Sequence, residues 1–222
     1  MKEIINDETI DLIIADPPYF KVIGEKWDYQ WRTEEDYIEW SKKWIGEAVD
    51  KLRKGGCFYL FGYFRILAKL LPILEAAGLS LRQQIVIDKG IKAVSGRATK
   101  NYKMFPNVTE SILFLYKDPK PFVRTLLADI DFYEEKPRYH PTQKPQKLIT
   151  RLLNASSNPG DFIMDPFMGG GSTAIACINE NRKFVGFEID YEYYTESLSR
   201  IETEYFEMVQ CKENLRTLEQ SA

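Results

Sequence analysis

The chain has 222 residues, a formal net charge of −3, 44% hydrophobic and 28% charged residues. This length and composition suit one globular domain spanning residues 1–222 and exclude a disordered or fibrous chain. Three separated cysteines and one histidine make a disulfide framework or a zinc cluster improbable. No apolar run could span a bilayer and the N-terminus lacks a signal-peptide pattern, so we expect a cytoplasmic protein with reduced thiols.

The first half of the chain alternates strand and helix patterns. Residues 12–15 form the apolar run of a strand that is covered on both faces. Thr33-Glu34-Glu35-Asp36 resembles a capping box and predicts a helix to about residue 53, which Gly55-Gly56 ends. The elements predicted next are a strand over 57–61, a helix over 63–77 with a kink at Pro72, and strands over 84–87 and 112–116.

The second half continues the alternation after an irregular stretch over residues 117–138. The elements predicted there are a helix over 145–156, a strand over 162–164, a helix over 171–181, a strand over 184–187 and a long terminal helix capped by Asp190. Strands that alternate with helices predict an α/β fold, with a mostly parallel sheet covered by helices on both faces.

The tetrapeptide Asp16-Pro17-Pro18-Tyr19 follows the first predicted strand. Ligands of α/β proteins lie at the carboxyl ends of such strands, although a plain turn is the commoner meaning of a bare Asp-Pro-Pro. The amino nitrogen of adenine or cytosine is a poor nucleophile, because its lone pair is delocalised into the ring. Acceptors on the Asp16 side chain and the Pro17 carbonyl would localise that lone pair, and the Tyr19 ring could stack on the base.

A glycine-rich turn, Asp165-Pro166-Phe167-Met168-Gly169-Gly170-Gly171-Ser172-Thr173, follows the predicted strand over 162–164. It has no lysine before Ser172 and no spaced glycine pattern, so it matches neither the P-loop nor the dinucleotide fingerprint. An acid before the glycines suits a ligand with an ammonium and a sulfonium group, as in S-adenosylmethionine. Glu188 stands where a dinucleotide fold places the acid that binds the ribose hydroxyls.

Basic residues are concentrated in two stretches that contain no acid, residues 89–109 and 136–160. The first stretch could form the basic face that binds a phosphate backbone, or simply a solvated loop. Its candidate nucleic-acid contacts, with aromatic residues that could hold a flipped base or pack in the core, are Lys89, Lys92, Arg97, Lys100, Lys103, Tyr102, Phe105 and Trp27.

The two motifs, in this order, resemble the permuted beta class of amino-group DNA methyltransferases. The resemblance implies a Rossmann-like fold with S-adenosylmethionine as cofactor, circularly permuted motif order and N6-adenine or N4-cytosine as target. It assigns Asp16 to Tyr19 to catalysis, and it assigns to the cofactor Asp165, Phe167, Gly169, Gly170, Gly171, Ser172, Thr173, Glu188, His140 and Lys144. An Asp in the first motif position favours adenine. C5-cytosine chemistry is disfavoured, because it needs a Pro-Cys pair and the chain has none.

The chain departs from this family pattern at two places. About ten residues precede the catalytic strand, where the family carries another strand and acid that hold the cofactor's adenine. The target-recognition region expected over 117–138 is short. Three explanations stay open: lax or short-site specificity, recognition by residues 89–109 or by a partner, and an insert missing near residues 127–129.

Other functions compete with the methylation of double-stranded DNA. A protein glutamine methyltransferase resembles Asn-Pro-Pro-Tyr and places its cofactor motif first, and both features count against it. An RNA adenine methyltransferase stays open, since basic loops would serve RNA too. A non-catalytic DNA-binding subunit should carry a damaged motif, and both motifs are intact. A homodimer or a restriction-enzyme partner is also possible for this class.

Overall fold

The computed structural model describes residues 1, 4–21, 29–89, 109–121, 123 and 144–220, without the side chains of residues 212 and 214–220. It divides into two compact units, Met1–Pro121 and Phe122–Ala222. Among the described helices, none is both long and apolar enough to cross a membrane.

The first unit is a mixed sheet with two helices. Its elements are β1 (Ile10–Ala15), α1 (Glu34–Lys51), β2 (Leu52–Gly62), α2 (Phe64–Ala76), β3 (Leu79–Asp88) and β4 (Thr109–Lys117). β1 pairs in parallel with β2, and β4 pairs antiparallel with both β2 and β3. The strands therefore lie in the order β3-β4-β2-β1.

This pairing brings four strand ends to one edge of the sheet. β1, β2 and β3 run in the same direction, so their carboxyl ends share the edge at which the antiparallel β4 begins. The residues at or just beyond those ends are Asp16, Tyr63, Lys89 and Glu110. Polar and ionisable side chains from four separate parts of the sequence therefore lie at this edge.

Helix α1 begins as its sequence predicts but ends earlier. The Thr33 side chain accepts from the Asp36 amide and the Asp36 side chain accepts from the Thr33 amide, so the capping box is confirmed. The prediction that Gly55-Gly56 ends the helix was wrong. The chain leaves α1 at Lys51 and enters β2 directly, with Gly55 inside that strand at a φ of +74°. Gly55 therefore allows an irregular backbone conformation inside a strand instead of ending a helix.

Aromatic and aliphatic side chains make the core of the first unit. The central strand segments of β1, β2 and β4 are buried almost throughout, and α1 buries Tyr37, Trp44 and Ile45. Trp44 stacks near Phe58 of β2, with ring centroids 6.5 Å apart. The contact packs α1 against β2, and the buried Tyr37 lies nearer the beginning of the same helix.

The second unit contains α3 (Gln146–Ser156), β5 (Phe162–Asp165), α4 (Ser172–Asn179), β6 (Lys183–Gly186) and α5 (Tyr191–Gln220). β5 and β6 are parallel, and Asp165 lies opposite Gly186 at their carboxyl ends. The Asp190 side chain accepts from the amides of Glu192 and Tyr193, which confirms it as the cap of the long helix α5. The loop from Asp165 and the loop from Gly186 therefore leave the same edge of this strand pair.

Candidate active site

The first candidate region, the catalytic corner, comprises Asp16, Tyr19, Lys89 and Glu110. The Tyr19 hydroxyl lies 2.8 Å from Asp16 Oδ1 and also hydrogen-bonds Glu110 Oε1. Lys89 Nζ lies 2.8 Å from Glu110 Oε2. Glu110 is only 3% exposed, so its charge depends on these partners rather than on water. Sequence reasoning found Asp16, Tyr19 and Lys89 but missed Glu110, which no local motif marks.

Tyr19 is held as a neutral phenol. Burial raises its pKa well above the usual value, and the charges of Asp16 and Glu110 raise it further. Its ring meets the Tyr63 ring edge-on, with centroids 5.2 Å apart. Stacking of Tyr19 on a base, expected from the sequence, stays a prediction.

The turn after the tetrapeptide is fixed by α1. The buried Tyr37 hydroxyl donates to the Pro18 carbonyl over 2.7 Å, and the Phe20 ring packs 5.6 Å from the Tyr37 ring. Phe20 and Lys21 have φ values of +62° and +59°, which non-glycine residues rarely adopt. Such backbone persists only where its surroundings enforce it, and Tyr37 provides part of that support. Sequence reasoning missed Tyr37, whose position on the buried face of α1 was the available signal.

The second candidate region, the glycine loop, runs from Asp165 to Thr173. Asp165 is 5% exposed; its Oδ1 accepts from the Phe167 amide over 3.0 Å and its Oδ2 from the Thr173 hydroxyl over 2.6 Å. The carboxylate therefore holds both ends of the loop. A contact of Asp165 with a cofactor, expected from the sequence, stays a prediction.

Glycine is required in this loop for its backbone conformation and for its small size. Gly169 and Gly171 have φ values of +48° and +78°. A Cβ on Gly171 would lie 3.4 Å from the Ser197 Cβ of α5 and 3.5 Å from Ile201 Cδ1, so the loop backbone packs closely on that helix. Arg200 of α5, which no sequence pattern marks, donates to the Gly170 carbonyl over 2.6 Å.

Glu188 links the glycine loop to the strand end of β6. Its Oε2 accepts from the Gly169 amide and its Oε1 from the Asp190 amide, each over 2.9 Å. Each carboxylate oxygen keeps a further lone pair with which it can accept a ribose hydroxyl. The position is thus compatible with the predicted ribose acid, and it adds a role in shaping the loop.

The segment before α3 also contacts the glycine loop. The Ser172 hydroxyl donates to the Lys144 carbonyl over 3.3 Å, and the Gln146 side-chain amide donates to the Ser172 carbonyl over 3.0 Å. Lys144 and Gln146 therefore contact the glycine loop, and a contact of Lys144 with the cofactor stays a prediction. The remaining predicted site residues lie outside the described part of the chain, namely Trp27, Lys92, Arg97, Lys100, Tyr102, Lys103, Phe105 and His140.

The two regions differ in what they can bind. Between residues 165 and 173 the glycine loop contains an acid and no cation, and Glu188 adds another acid. These two acids favour a ligand with a sulfonium, an ammonium and ribose hydroxyls over a pyrophosphate. The catalytic corner offers a half-buried carboxylate at a strand end, which suits a neutral hydrogen-bond donor such as an amino group.

Comparisons with known proteins agree with this chemistry. A family model described as DNA methylase, covering the N6 and N4 enzymes, matches residues 10–137 and 124–199. DNA adenine methyltransferase YhdJ of Escherichia coli (strain K12) is 30% identical over 88% of this chain and 77% of its own length. The M1.HpyAVI–SAM complex is 25% identical with a TM-score of 0.66, over 90% of this chain and 91% of that one.

The cytosine-N4-specific PvuII DNA methyltransferase has the same fold, with a TM-score of 0.72 at 18% identity over 94% of this chain and 88% of its own. The fold and the two motif regions thus define an S-adenosylmethionine-dependent methyltransferase, as the sequence predicted. The chain belongs to the N6/N4 DNA methylase family.

Proposed function

We propose that this protein transfers a methyl group from S-adenosylmethionine to the N6 amino group of adenine in double-stranded DNA. The observation that carries the proposal is the Asp16 carboxylate, held at the carboxyl end of β1 by the Tyr19 hydroxyl. The likeness to YhdJ, whose name describes an adenine enzyme, supports adenine over cytosine. The Asp in the first motif position supports the same choice.

Catalysis would come from hydrogen bonds that strengthen as the amino nitrogen attacks. Asp16 accepts from the amino group and draws the lone pair out of the ring, and the Pro17 carbonyl is the second acceptor. These bonds strengthen as positive charge develops on nitrogen, so they accelerate the reaction rather than merely binding the base. The target base must leave the duplex to reach them, which costs a few kcal/mol.

The cofactor would be held by the glycine loop and Glu188. Bound there, it supplies a methyl group on a positively charged sulfur. Gly169, Gly170 and Gly171 allow close backbone approach, and Phe167, Ser172 and Thr173 lie in the same loop. Glu188 takes the ribose hydroxyls, and Lys144 lies in the segment beside the loop.

The basic stretch over residues 89–109 would bind the DNA backbone. Lys89 has an internal partner in Glu110 and keeps 32% of its side chain exposed, so it can also face a phosphate. Replacing Lys100 and Lys103 by alanine should weaken DNA binding and flatten the logarithmic salt dependence of the binding constant by about 0.9 for each phosphate that is no longer neutralised. Fluorescence anisotropy from low to moderate salt measures that slope. An unchanged slope would remove both lysines from the interface.

The test of the whole proposal starts with DNA from a methylation-free host. Wild-type protein, labelled S-adenosylmethionine and this DNA should give N6-methyladenine on nucleoside analysis, and methylation-sensitive sequencing should locate the sites. Detection of N4-methylcytosine instead would show that cytosine is the target. Methyl transfer to RNA and none to DNA would show that the substrate is RNA. No transfer to either, with no S-adenosylmethionine binding by calorimetry, would favour a non-catalytic subunit.

A further inference from the structure

The backbone between Asp16 and Tyr19 has one torsion that its own sequence leaves open. Proline fixes φ at residues 17 and 18, and a following proline restricts Asp16 and Pro17 to extended backbone. Pro18 is followed by tyrosine instead, so its ψ can take either a helical or an extended value. Because the peptide unit is planar, this ψ sets the direction of the Pro18 carbonyl and the direction in which the chain enters Tyr19.

Tyr37 of α1 holds that carbonyl. The Tyr37 hydroxyl donates to the Pro18 carbonyl oxygen over 2.7 Å, and the Tyr37 residue is 1% exposed. Rotation of the carbonyl away from the hydroxyl would break this bond where water is largely excluded, which costs more than it would at the surface. The bond therefore selects one of the two values of ψ that Pro18 could adopt.

The position of the Tyr37 hydroxyl is itself well determined. The Tyr37 ring lies between two tryptophan rings, with its centroid 4.9 Å from that of Trp31 and 5.5 Å from that of Trp40. The Tyr37 amide donates to the Thr33 carbonyl over 3.3 Å, in the first turn of α1, which the capping box stabilises. The hydroxyl is thus presented to the turn from a packed helix.

The chain beyond Tyr19 is held by the same part of the molecule. Phe20 and Lys21 both have positive φ, and the Phe20 ring packs 5.6 Å from the Tyr37 ring. Lys21 Nζ donates to the Arg32 carbonyl over 2.7 Å, just before α1 begins. Tyr19 therefore lies between two points at which the turn is tied to α1 or to the segment that precedes it.

The placement of Tyr19 matters for the reaction, because its hydroxyl lies 2.8 Å from Asp16 Oδ1. We propose that Tyr37 is a positioning residue that, through the Pro18 carbonyl, places the Tyr19 side chain and with it the Asp16 carboxylate for methyl transfer. Since Tyr37 is buried, it acts through the turn and not by contact with the base. The inference rests on the proposed function, because the side chains that Tyr37 positions are those of the proposed reaction.

The test compares Tyr37→Phe with Tyr59→Phe. The first variant removes the hydroxyl and keeps the ring between Trp31 and Trp40. The second removes a hydroxyl from another buried tyrosine of the same unit, whose ring stacks on Phe114 in the sheet with centroids 4.7 Å apart. In single-turnover assays with saturating DNA and cofactor, Tyr37→Phe should lower the rate about 10- to 100-fold, the size expected for a small misplacement of reacting groups. Tyr59→Phe should stay within about twofold of the wild type.

Affinities and a double variant separate positioning from a general structural effect. The Kd for S-adenosylmethionine, by calorimetry, and for DNA, by anisotropy, should stay within about threefold of the wild type in both variants, because the lost bond contacts neither ligand. The double variant of Tyr37→Phe with Tyr19→Phe should lose less than the product of the two single losses. The reason is that Tyr37 acts through the placement of Tyr19, so the two substitutions damage one arrangement.

The inference is wrong if Tyr37→Phe is as fast as Tyr59→Phe, or if the losses of Tyr37→Phe and Tyr19→Phe multiply in full. If Tyr37→Phe does not fold, Lys21→Met tests the same turn from its exposed side. Loss of the donor to the Arg32 carbonyl should lower the rate at least about twofold at saturating DNA, and a full rate would overturn the inference. A wild-type protein that transfers no methyl group would overturn the proposed function as well, whereas an active wild type with an unaffected Tyr37→Phe would overturn this inference alone.

Discussion

The catalytic corner and the glycine loop both depend on acids, but they use them in opposite ways. In the glycine loop, Asp165 and Glu188 accept from backbone amides and a hydroxyl no more than 19 residues away. In the catalytic corner, Tyr19 reaches Glu110 across 91 residues, and two carboxylates share one hydroxyl. The loop is thus built from residues that are close in the sequence, whereas the corner is assembled by the pairing of distant strands.

This difference separates the expected effects of substitution. Removal of an acceptor from the glycine loop should change cofactor affinity and stability, because the loop loses its shape. Removal of one from the corner should change the rate, because its interactions strengthen only as the amino group reacts. Variants in each region therefore test whether the two kinds of effect can be separated.

The largest effect is expected for Asp16→Ala. This substitution removes the acceptor that activates the amino group, and it should lower the single-turnover rate by about 10²- to 10⁴-fold. Calorimetry should show nearly unchanged S-adenosylmethionine affinity. Asp16→Asn keeps one acceptor oxygen without the charge, so its rate should lie between those of the wild type and Asp16→Ala. Normal turnover by Asp16→Ala would refute the role given to this residue.

Glu188→Ala should produce the complementary result. The amides of Gly169 and Asp190 lose a charged acceptor, and the ribose loses its partner. We expect a loss of about 2 kcal/mol, or roughly 30-fold in the cofactor Kd, with near-normal rate at saturation. Glu188→Gln, which keeps one acceptor oxygen, should lose less cofactor affinity. If the Glu188→Ala rate stayed low at saturating cofactor, the glycine loop would affect the rate as the catalytic corner does, and the distinction between the two regions would be wrong.

The sequence predicted the loop better than the corner for the same physical reason. Capping at Thr33 and Asp190, the glycine turn and Glu188 are local patterns, because their bonds join residues near one another in the chain. Glu110 and Tyr37 could not be selected, since their roles depend on strand order and on how α1 packs. Gly55-Gly56 misled the prediction of the end of α1, because a glycine pair is a frequent helix stop and here it lies in β2.

A smaller effect is expected within the loop itself. The buried Thr173 hydroxyl donates to Asp165 Oδ2, and Thr173→Val removes that donor while keeping the side-chain shape. Loss of this donor to the buried carboxylate should cost about 1–3 kcal/mol in the free energy of unfolding, measured with urea. Thr173→Ser keeps the hydroxyl and serves as the matched control. Equal stability of the valine and serine variants would mean that the Thr173–Asp165 bond contributes little.

The smallest expected effect concerns whether the loop is formed before cofactor binds. Cys177 is buried on α4, and its pKa is raised by burial first and by the nearby Asp165 charge second. A thiol in that state reacts slowly, because only the thiolate is nucleophilic. Cys57 is also buried and Cys211 is exposed, so iodoacetamide should label Cys211 in the native protein and all three cysteines after denaturation.

Cys211→Ser should leave the native protein unlabelled, and the result should be the same with and without S-adenosylmethionine. Labelling of Cys177 that only the cofactor prevents would show that the glycine loop packs on binding.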